Sequence, residues 1–238
     1  MGAIFRRELG SFFTSSIAYV FLGVFYLLSG WFFYSNTIAY GSSDMAGFFS
    51  MLFLVIVMLV PILTMKTFSE EKKQKTDQGL LTAPISLGAM VMGKYFAVLV
   101  MYIFGISIVL VHGVILSFFG TVDWTIVLSN YAALFLMGAA CISIGMLISA
   151  LTENQIVAAV VGMLALLLVY MLDLIAELID NLISVDFITD ALMAISFYNK
   201  YYEFTCGIFN LSSVLFYISV AVIFNFLTVR IFEKRRWS

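Results

Sequence analysis

The chain has 238 residues, 63% of them hydrophobic and 11% charged, and its net charge at pH 7 is −2. A soluble domain has about 45–50% apolar and about 25% charged residues, so the composition excludes a single water-soluble globular domain. It predicts an all-α membrane protein that crosses the bilayer several times. The two cysteines, Cys141 and Cys206, lie in different apolar segments and indicate neither a disulfide framework nor a metal site.

The first residues of the chain, 2–14, are rich in basic and aromatic side chains. Arg6 and Arg7 precede Phe12 and Phe13. This pattern is typical of a short amphipathic helix in the membrane interface, with its basic side chains near anionic head groups. A plain basic flank that orients the first membrane span explains the pattern equally well.

Apolar stretches of about 20 residues, long enough to cross the hydrocarbon core, follow one another along the rest of the chain. Residues 173–207 interrupt them. Acidic and apolar side chains alternate there at roughly helical spacing, so we expect one or two amphipathic helices at the outer surface. The second span contains Pro61, which should kink it or loosen its end. The six predicted spans form one transmembrane domain and cover residues 17–38, 48–65, 92–119, 126–150, 156–172 and 208–229.

The distribution of basic residues predicts the orientation of the spans. With the amino terminus in the cytosol, eleven of the 12 basic residues lie on the cytosolic side, and only Lys200 lies outside. Six spans then place both termini in the cytosol. The residues predicted to face the cytosol are Arg6, Arg7, Lys66, Lys72, Lys73, Lys75, Lys94, Arg230, Lys234, Arg235 and Arg236.

Small residues recur four apart in the fourth and fifth spans. Cys141, Gly145 and Ser149 share one face of the fourth span, and Ala158 and Gly162 stand in the same relation in the fifth. Side chains of this size let helices approach closely in lipid. These positions are therefore predicted to pack against neighbouring helices.

A polar segment separates the second and third spans. Thr67 and Glu70 have the spacing of a capping box, and Glu71 and Lys75 are spaced to pair across one helical turn. A short helix over residues 68–80 is therefore predicted. The alternative is a solvated loop that merely satisfies the bias for positive charge in the cytosol.

Residues 88–94, GAMVMGK, match the first seven positions of a nucleotide-binding P-loop. The next residue is Tyr95, where the motif needs Ser or Thr for magnesium, and the run enters a predicted span instead of following a strand. We attribute the match to chance. The longest hydrophilic stretch has about 20 residues, too few for a nucleotide-binding domain of roughly 100 or more.

The polar segment contains two runs with a recognisable pattern, MKTFSEEK at 65–72 and LLTAPIS at 80–86. They resemble the loop between the second and third spans of ABC-2 type transporter permeases, and most closely the branch that includes the gliding-motility and nitrous-oxide-accessory permeases. The middle of the segment, KTDQG at 75–79, departs from the Gly-Thr-Ile-Glu-Leu that family members often carry. The run FRREL at 5–9 is similar to the family's opening residues.

The resemblance implies a dimer of two permeases, identical or different, each engaging a separate ATPase subunit that binds ATP and Mg. It implies no catalytic site in this chain. Residues 66–86 would act as a coupling helix, the link between the fourth and fifth spans would make a second, smaller contact, and the first residues would form a connecting helix. The residues implied to dock the ATPase are Phe68, Ser69, Glu70, Glu71, Lys72, Leu80, Leu81 and Thr82, with Glu153 and Asn154 in the link.

Two further sets of ionisable residues are candidates for a function. Asp173, Glu177 and Asp180 share one helical face, where they could hold a cation or could be solvated acids at the outer interface. His112, the single histidine, lies inside the third span. An ionisable group there is either functional or a neutral imidazole bonded to a neighbouring helix. We favour the structural interpretation in both cases.

The sequence therefore predicts the transmembrane permease subunit of an ATP-driven exporter in the cytoplasmic membrane of a bacterium. Its partners would be the ATPase, a second permease and the lipid bilayer, and not a nucleic acid. Three alternatives stay open. They are a non-transporting membrane anchor through which the ATPase drives a mechanical or signalling partner, a subunit that scrambles or extrudes lipid or a lipid-linked polymer, and an intramembrane enzyme that uses His112 and the outer carboxylates.

Overall fold

The computed structural model describes residues 1–41, 44–82, 85–183 and 186–236, and all of the regular structure in these ranges is helical, as predicted. The first half of the chain forms α1 (Gly2–Thr14), α2 (Ser16–Phe33), a π-helical turn (Tyr34–Ile38), α3 (Ala46–Thr64), α4 (Lys66–Lys73), α5 (Asp77–Thr82), α6 (Leu87–Ile106) and α7 (Ile108–Ser117). The second half forms α8 (Trp124–Leu151), α9 (Gln155–Tyr170), α10 (Leu172–Ile183), α11 (Asp186–Ile195), α12 (Phe197–Thr205) and α13 (Leu211–Arg236).

Within the described residues, 5 stretches are long and apolar enough to cross a membrane. A sixth results if α9 and α10, which meet at an angle of 48°, count as one broken span. α9 alone has 16 residues and rises about 24 Å, less than the roughly 30 Å of hydrocarbon. The chain is therefore a multi-pass membrane protein. The five stretches are Ser16–Ile38, Ala46–Lys73, Leu87–Ser117, Trp124–Leu151 and Leu211–Arg236.

The second membrane-spanning stretch does not end where the polar segment begins. α3 continues past Pro61 to Thr64, and α4 starts at Lys66 after the single residue Met65, so the polar segment begins as an extension of the span. Ala46–Lys73 has 28 residues and a length of about 42 Å. Because the hydrocarbon core is about 30 Å thick, the polar end of this stretch projects beyond it.

α8 lies at the centre of the bundle, where α3, α6, α9, α12 and α13 pack against it. A Cβ added at Gly138 would overlap the ring of Tyr102, and one added at Gly145 would overlap the side chain of Thr64. Tyr102 Oη also donates a hydrogen bond to Leu134 O at 2.6 Å. The two glycines therefore allow α6 and α3 to approach the backbone of α8 closely.

The other small residues that the sequence singled out also lie inside the bundle. Cys141 is buried on α8, and Ala158 and Gly162 are buried on α9. A Cβ added at Gly162 would lie 3.2 Å from the Cβ of Pro61. α9 thus passes α3 at the proline, and the small side chain leaves room for the ring.

The region between α9 and α13 holds three helices where one or two surface helices were predicted. The last of them, α12, packs against the rest of the bundle through Phe197, Tyr201 and Phe204, which are buried. Tyr201 Oη donates to Phe49 O at 3.1 Å, and Tyr217 Oη donates to Phe197 O at 2.8 Å. A tyrosine can be buried when its hydroxyl finds an acceptor, so α12 closes the bundle at the end opposite to α4.

Candidate functional site

Several helices bring their polar ends together at one end of the bundle, which we name the basic end. It consists of α1, α4, α5 and the turn between them, the start of α6, the end of α8 and the end of α13. These elements carry eleven of the 12 basic residues of the chain, and the remaining one, Lys200, lies on α12. The charge asymmetry that the sequence predicted therefore coincides with one end of the folded bundle.

The hydroxyl of Ser149 attaches α4 to the end of α8. Ser149 Oγ accepts hydrogen bonds from Phe68 N at 3.1 Å and Ser69 N at 3.2 Å, and it donates to Met65 O at 2.8 Å. Lys72 Nζ adds a hydrogen bond to Ala150 O. Backbone groups left unpaired where α3 passes into α4 are thus satisfied by α8. Sequence spacing indicated a small packing residue at Ser149 but not these bonds.

Four charged side chains form a second connection, which we name the ion cluster: Arg7, Glu8, Glu71 and Lys94. The side chain of Lys94 is only 1% exposed, and its Nζ lies 3.2 Å from Glu8 Oε1 and 3.0 Å from Glu71 Oε1. Arg7 Nη2 lies 2.5 Å and 2.8 Å from the same two oxygens. Lys94 Nζ also donates to Thr67 O at 2.9 Å.

The ion cluster joins α1, α4 and α6 through two cations and two carboxylates, so its formal charge is zero. A buried ammonium group is costly unless it is paired and hydrogen-bonded, and Lys94 has both kinds of partner. The sequence predicts Lys94 only as one of the basic residues on the cytosolic side. Its position inside an apolar run was the available signal, because a charge at such a position needs a partner from another helix.

A third connection brings in the carboxyl-terminal end of α13. Arg235 Nη1 lies 3.1 Å from Asp77 Oδ2 on α5, and Arg235 Nη2 lies 3.9 Å from Glu153 Oε1 in the link between α8 and α9. The atoms of the closer pair are in charge contact without the alignment of a hydrogen bond. The rings of Phe232 and Phe68 pack with centroids 4.8 Å apart. α13, α5 and α4 therefore form one assembly.

Most of the docking residues implied for α4 point into this assembly. Phe68, Ser69 and Lys72 are buried within the chain, where they hold α4 against α8 and α13, so their side chains do not form an exposed docking surface. Glu71 belongs to the ion cluster. Glu70 is half-buried, and its Oε1 accepts a hydrogen bond from Gln74 Nε2 at 3.4 Å.

The remaining residues implied to dock the ATPase lie at the end of α5 and in the link between α8 and α9. The side chains of Leu80, Leu81 and Thr82 lie outside the described residues. Glu153 is 69% exposed at the basic end. Asn154 caps α9, since its Oδ1 accepts from the first amide groups of that helix. Arg235 brings the link close to α5, since its guanidinium group lies near both Glu153 and Asp77.

The predicted capping box is wrong. α4 begins at Lys66 directly after α3, so Thr67 lies inside the helix, and its Oγ1 has no hydrogen-bond partner among the described residues. The predicted helix over residues 68–80 is instead two helices, α4 and α5. Lys75 stands between them with a φ of 57°, and Glu71 pairs with the ion cluster in its place.

The turn between α4 and α5 is the exposed part of the segment. Lys73, Gln74, Lys75 and Thr76 are all exposed. This turn was not predicted as a separate surface, because the docking residues were placed in the two motif runs on either side of it. The signal was present: residues 69–78 contain no apolar side chain, as is typical of a surface that water or a partner covers.

His112 contacts a neighbouring helix. It is buried on α7, and its Nδ1 lies 3.4 Å from Ser29 Oγ on α2. Its ring stacks on Phe33 with centroids 4.5 Å apart. This environment fits the structural interpretation of His112.

The outer carboxylates are not gathered into a metal site. Asp173 and Glu177 line a cavity of about 230 Å³ together with Tyr198, Asn199 and Tyr202. Asp180 does not line this cavity. In the part of the chain that the structure describes, no three His, Cys, Asp or Glu side chains lie close enough to hold a metal ion.

The fold and the basic end together describe a multi-pass membrane protein with a polar segment braced against its spans. A family model described as ABC-2 family transporter protein matches residues 33–237. Because the match covers most of the chain, the chain belongs to the ABC-2 family of transporter proteins. The family is a membrane component of transport and is generally non-catalytic. The comparison with curated proteins gives no match.

Proposed function

We propose that the chain is the permease subunit of an ATP-driven ABC exporter, and that its basic end faces the cytosol and docks a separate ATPase subunit. Family membership supports the role in transport. The bias of basic residues supports the orientation, since short cytosolic loops carry an excess of Lys and Arg. The observation that carries the proposal is the attachment of α4 to three membrane-spanning helices, because it offers a route from a docked partner to the spans.

The proposed docking surface is the exposed turn between α4 and α5, with Glu153 beside it. Lys73 and Lys75 supply positive charge at the turn, and Glu153 supplies negative charge at the link. A partner with complementary charges would therefore bind in one orientation, since charge pairing at a rim contributes more to register than to affinity. The buried residues of α4 would position this surface without touching the partner.

Three connections would transmit a displacement of α4. α3 continues directly into α4, Ser149 bonds α4 to α8, and Lys94 bonds it to α6. Because the first connection is the chain itself and the other two are buried hydrogen bonds, α3, α6 and α8 would move together with α4. ATP binding by the partner could then shift the spans between two global states, as alternating access requires.

The proposal includes a second permease, identical or paralogous, in the cytoplasmic membrane of a bacterium with both termini in the cytosol. α2 offers an apolar surface to it, since Leu27 and Trp31 are exposed. ATP and Mg would bind to the ATPase alone. This chain would supply the helix contacts that change during transport, and it would supply no catalytic residue.

Purification of the protein from its native membrane in a mild detergent, followed by an ATPase assay of the eluate, tests the proposal. We expect an ATPase subunit in stoichiometric amount. A folded chain that carries no ATPase under these conditions would contradict the docking claim and would favour the alternative of a membrane anchor or enzyme.

A variant of the exposed turn locates the docking surface. The double substitution Lys73→Glu with Lys75→Glu reverses charge without disturbing a buried contact, so we expect the ATPase to be lost and the fold retained. Lys200→Glu on α12 is the matched control at the other end of the bundle. Retention of the ATPase by the double variant would show that the turn is not the docking surface. Glu71 is unsuitable for this test, because its loss would unbalance the ion cluster.

A further inference from the structure

A groove of about 500 Å³ runs along the surface of the bundle between α6, α8 and α13. Its lining is almost entirely apolar and includes Leu99, Phe135, Tyr217, Val222, Phe226 and Val229. The volume falls within the range of roughly 300–1,000 Å³ that small-molecule pockets occupy. Because α6, α8 and α13 are membrane-spanning stretches, the groove opens toward lipid and not toward water.

The length of the groove matches one leaflet of the membrane. Its lining on α13 extends from Tyr217 to Val229, about 18 Å along the helix axis. Half of the hydrocarbon core measures about 15 Å. An acyl chain of a phospholipid occupies one leaflet, so a groove of this length can hold it along its whole hydrocarbon length. On α6 the lining begins at Met92, near the basic end.

A cation stands at the end of the groove that adjoins the basic end. Val222, Phe226 and Arg230 follow one another four residues apart on α13, so they share one face of the helix. The guanidinium carbon of Arg230 lies 4.8 Å from the ring centroid of Phe226, which lines the groove. The Arg230 side chain is 60% exposed and also pairs with Glu233 at 2.6 Å.

We propose that this groove binds one acyl chain of an anionic phospholipid from the leaflet on the side of the basic end, with the phosphate at Arg230. The apolar lining takes the hydrocarbon chain, and the guanidinium group pairs with the phosphate in competition with Glu233. The lipid holds α13 against α6 at the end where both helices join the assembly around α4. This inference rests on the membrane position of the chain and does not depend on the ATPase.

Native mass spectrometry of the full chain tests the proposal, after reconstitution in nanodiscs that contain phosphatidylglycerol and phosphatidylcholine. We expect one phosphatidylglycerol adduct per chain to survive release. Ala221→Phe places a ring in the groove and should lower the bound fraction several-fold. Ser219→Phe is the matched control, because Ser219 is exposed on the same helix outside the lining. Equal adducts in these two variants would overturn the proposal.

A pair of charge variants tests the head-group contact independently of the packing of the groove. Arg230→Gln should reduce the preference for phosphatidylglycerol over phosphatidylcholine about fivefold, the effect of one basic residue at a membrane surface. Arg236→Gln removes an equal charge six residues further along α13 and should leave the preference unchanged. Equal losses in both variants would reduce the contact to general charge attraction. A dimer that Ala221→Phe dissociates, with lipid adducts unaltered, would assign the groove to a second copy.

Discussion

The basic end and the opposite end of the bundle are held together by different chemistry. At the basic end, charged side chains from α1, α4 and α6 meet in the ion cluster, with Lys94 at its buried centre. At the opposite end, most bonds that join α12 to its neighbours are neutral, from tyrosine hydroxyls to carbonyl oxygens, with ring contacts such as Phe53 with Tyr201 at 5.2 Å. One charge-assisted bond, from Ser213 Oγ to Glu203 Oε2, is added to them.

This difference in chemistry predicts how the stability of each end responds to a single substitution. Removing one member of a buried charge network leaves the other charges uncompensated. The resulting loss of folding stability is larger than the stability that the intact network contributes. Removing a neutral hydroxyl loses a bond of about 1 kcal/mol. The basic end should therefore behave as one cooperative unit, in which the loss of one charged side chain destabilises the contacts of the others. The opposite end should tolerate single changes.

The largest effect is expected for Lys94→Met. This substitution leaves Glu8 and Glu71 close together without the buried cation, so the free energy of unfolding should fall by about 3–5 kcal/mol. Equilibrium unfolding in mixed detergent micelles measures it. The double variant Lys94→Met with Glu71→Gln removes one charge of each sign and should recover part of the loss. A double variant less stable than the single one would show that the cluster is not electrostatic in origin.

The next effect concerns the junction of α3 and α8. Gly145→Ala should lower the stability by about 1–3 kcal/mol, because the new Cβ overlaps Thr64 in a packed interior. Gly30→Ala on α2 is the control, since a Cβ there meets nothing within 4 Å. The control should be neutral or stabilising. The same unfolding experiment checks both, and equal behaviour of the two variants would contradict the close approach.

At the opposite end, Tyr201→Phe should cost about 1 kcal/mol, because one hydrogen bond to Phe49 O is lost while the ring stays buried. Tyr202→Phe removes a hydroxyl from the neighbouring side chain, which is 54% exposed, and should change the stability little. If Tyr201→Phe lowered the free energy of unfolding as much as Lys94→Met does, the two ends of the bundle would not differ in their response.

The smallest effect is expected for Glu153→Gln. Its carboxylate is 69% exposed and 3.9 Å from Arg235, so the stability should change by less than about 0.5 kcal/mol. Thermal unfolding at low and high salt checks this, and the difference between variant and parent should vanish at high salt. If the link contributes to docking, the same variant should still weaken binding of the ATPase, and unaltered binding would limit the docking surface to the turn.

Apolar length was sufficient to predict that α3, α8 and α13 belong to stretches that can cross a membrane, since each needs about 20 apolar residues to satisfy lipid. The exact bounds of the spans stay a prediction. The fifth span was less predictable. α9 ends at Tyr170 after 16 residues, too few to cross the membrane alone, and α10 departs from it at 48°. The capping box failed for a related reason: α3 does not stop at the polar boundary, so Thr67 never stands at a helix start.

The sequence by itself determined that this is a helical membrane protein, where its basic residues concentrate and which polar segment leaves the membrane. These properties depend on whether water or lipid surrounds each residue, and local composition is sufficient to predict which of the two it is. The tertiary structure alone decided that Lys94 is buried between Glu8 and Glu71, and that the residues of α4 divide into a braced face and an exposed turn. Partners separated by tens of residues meet only when helices pack, and no local pattern specifies that meeting.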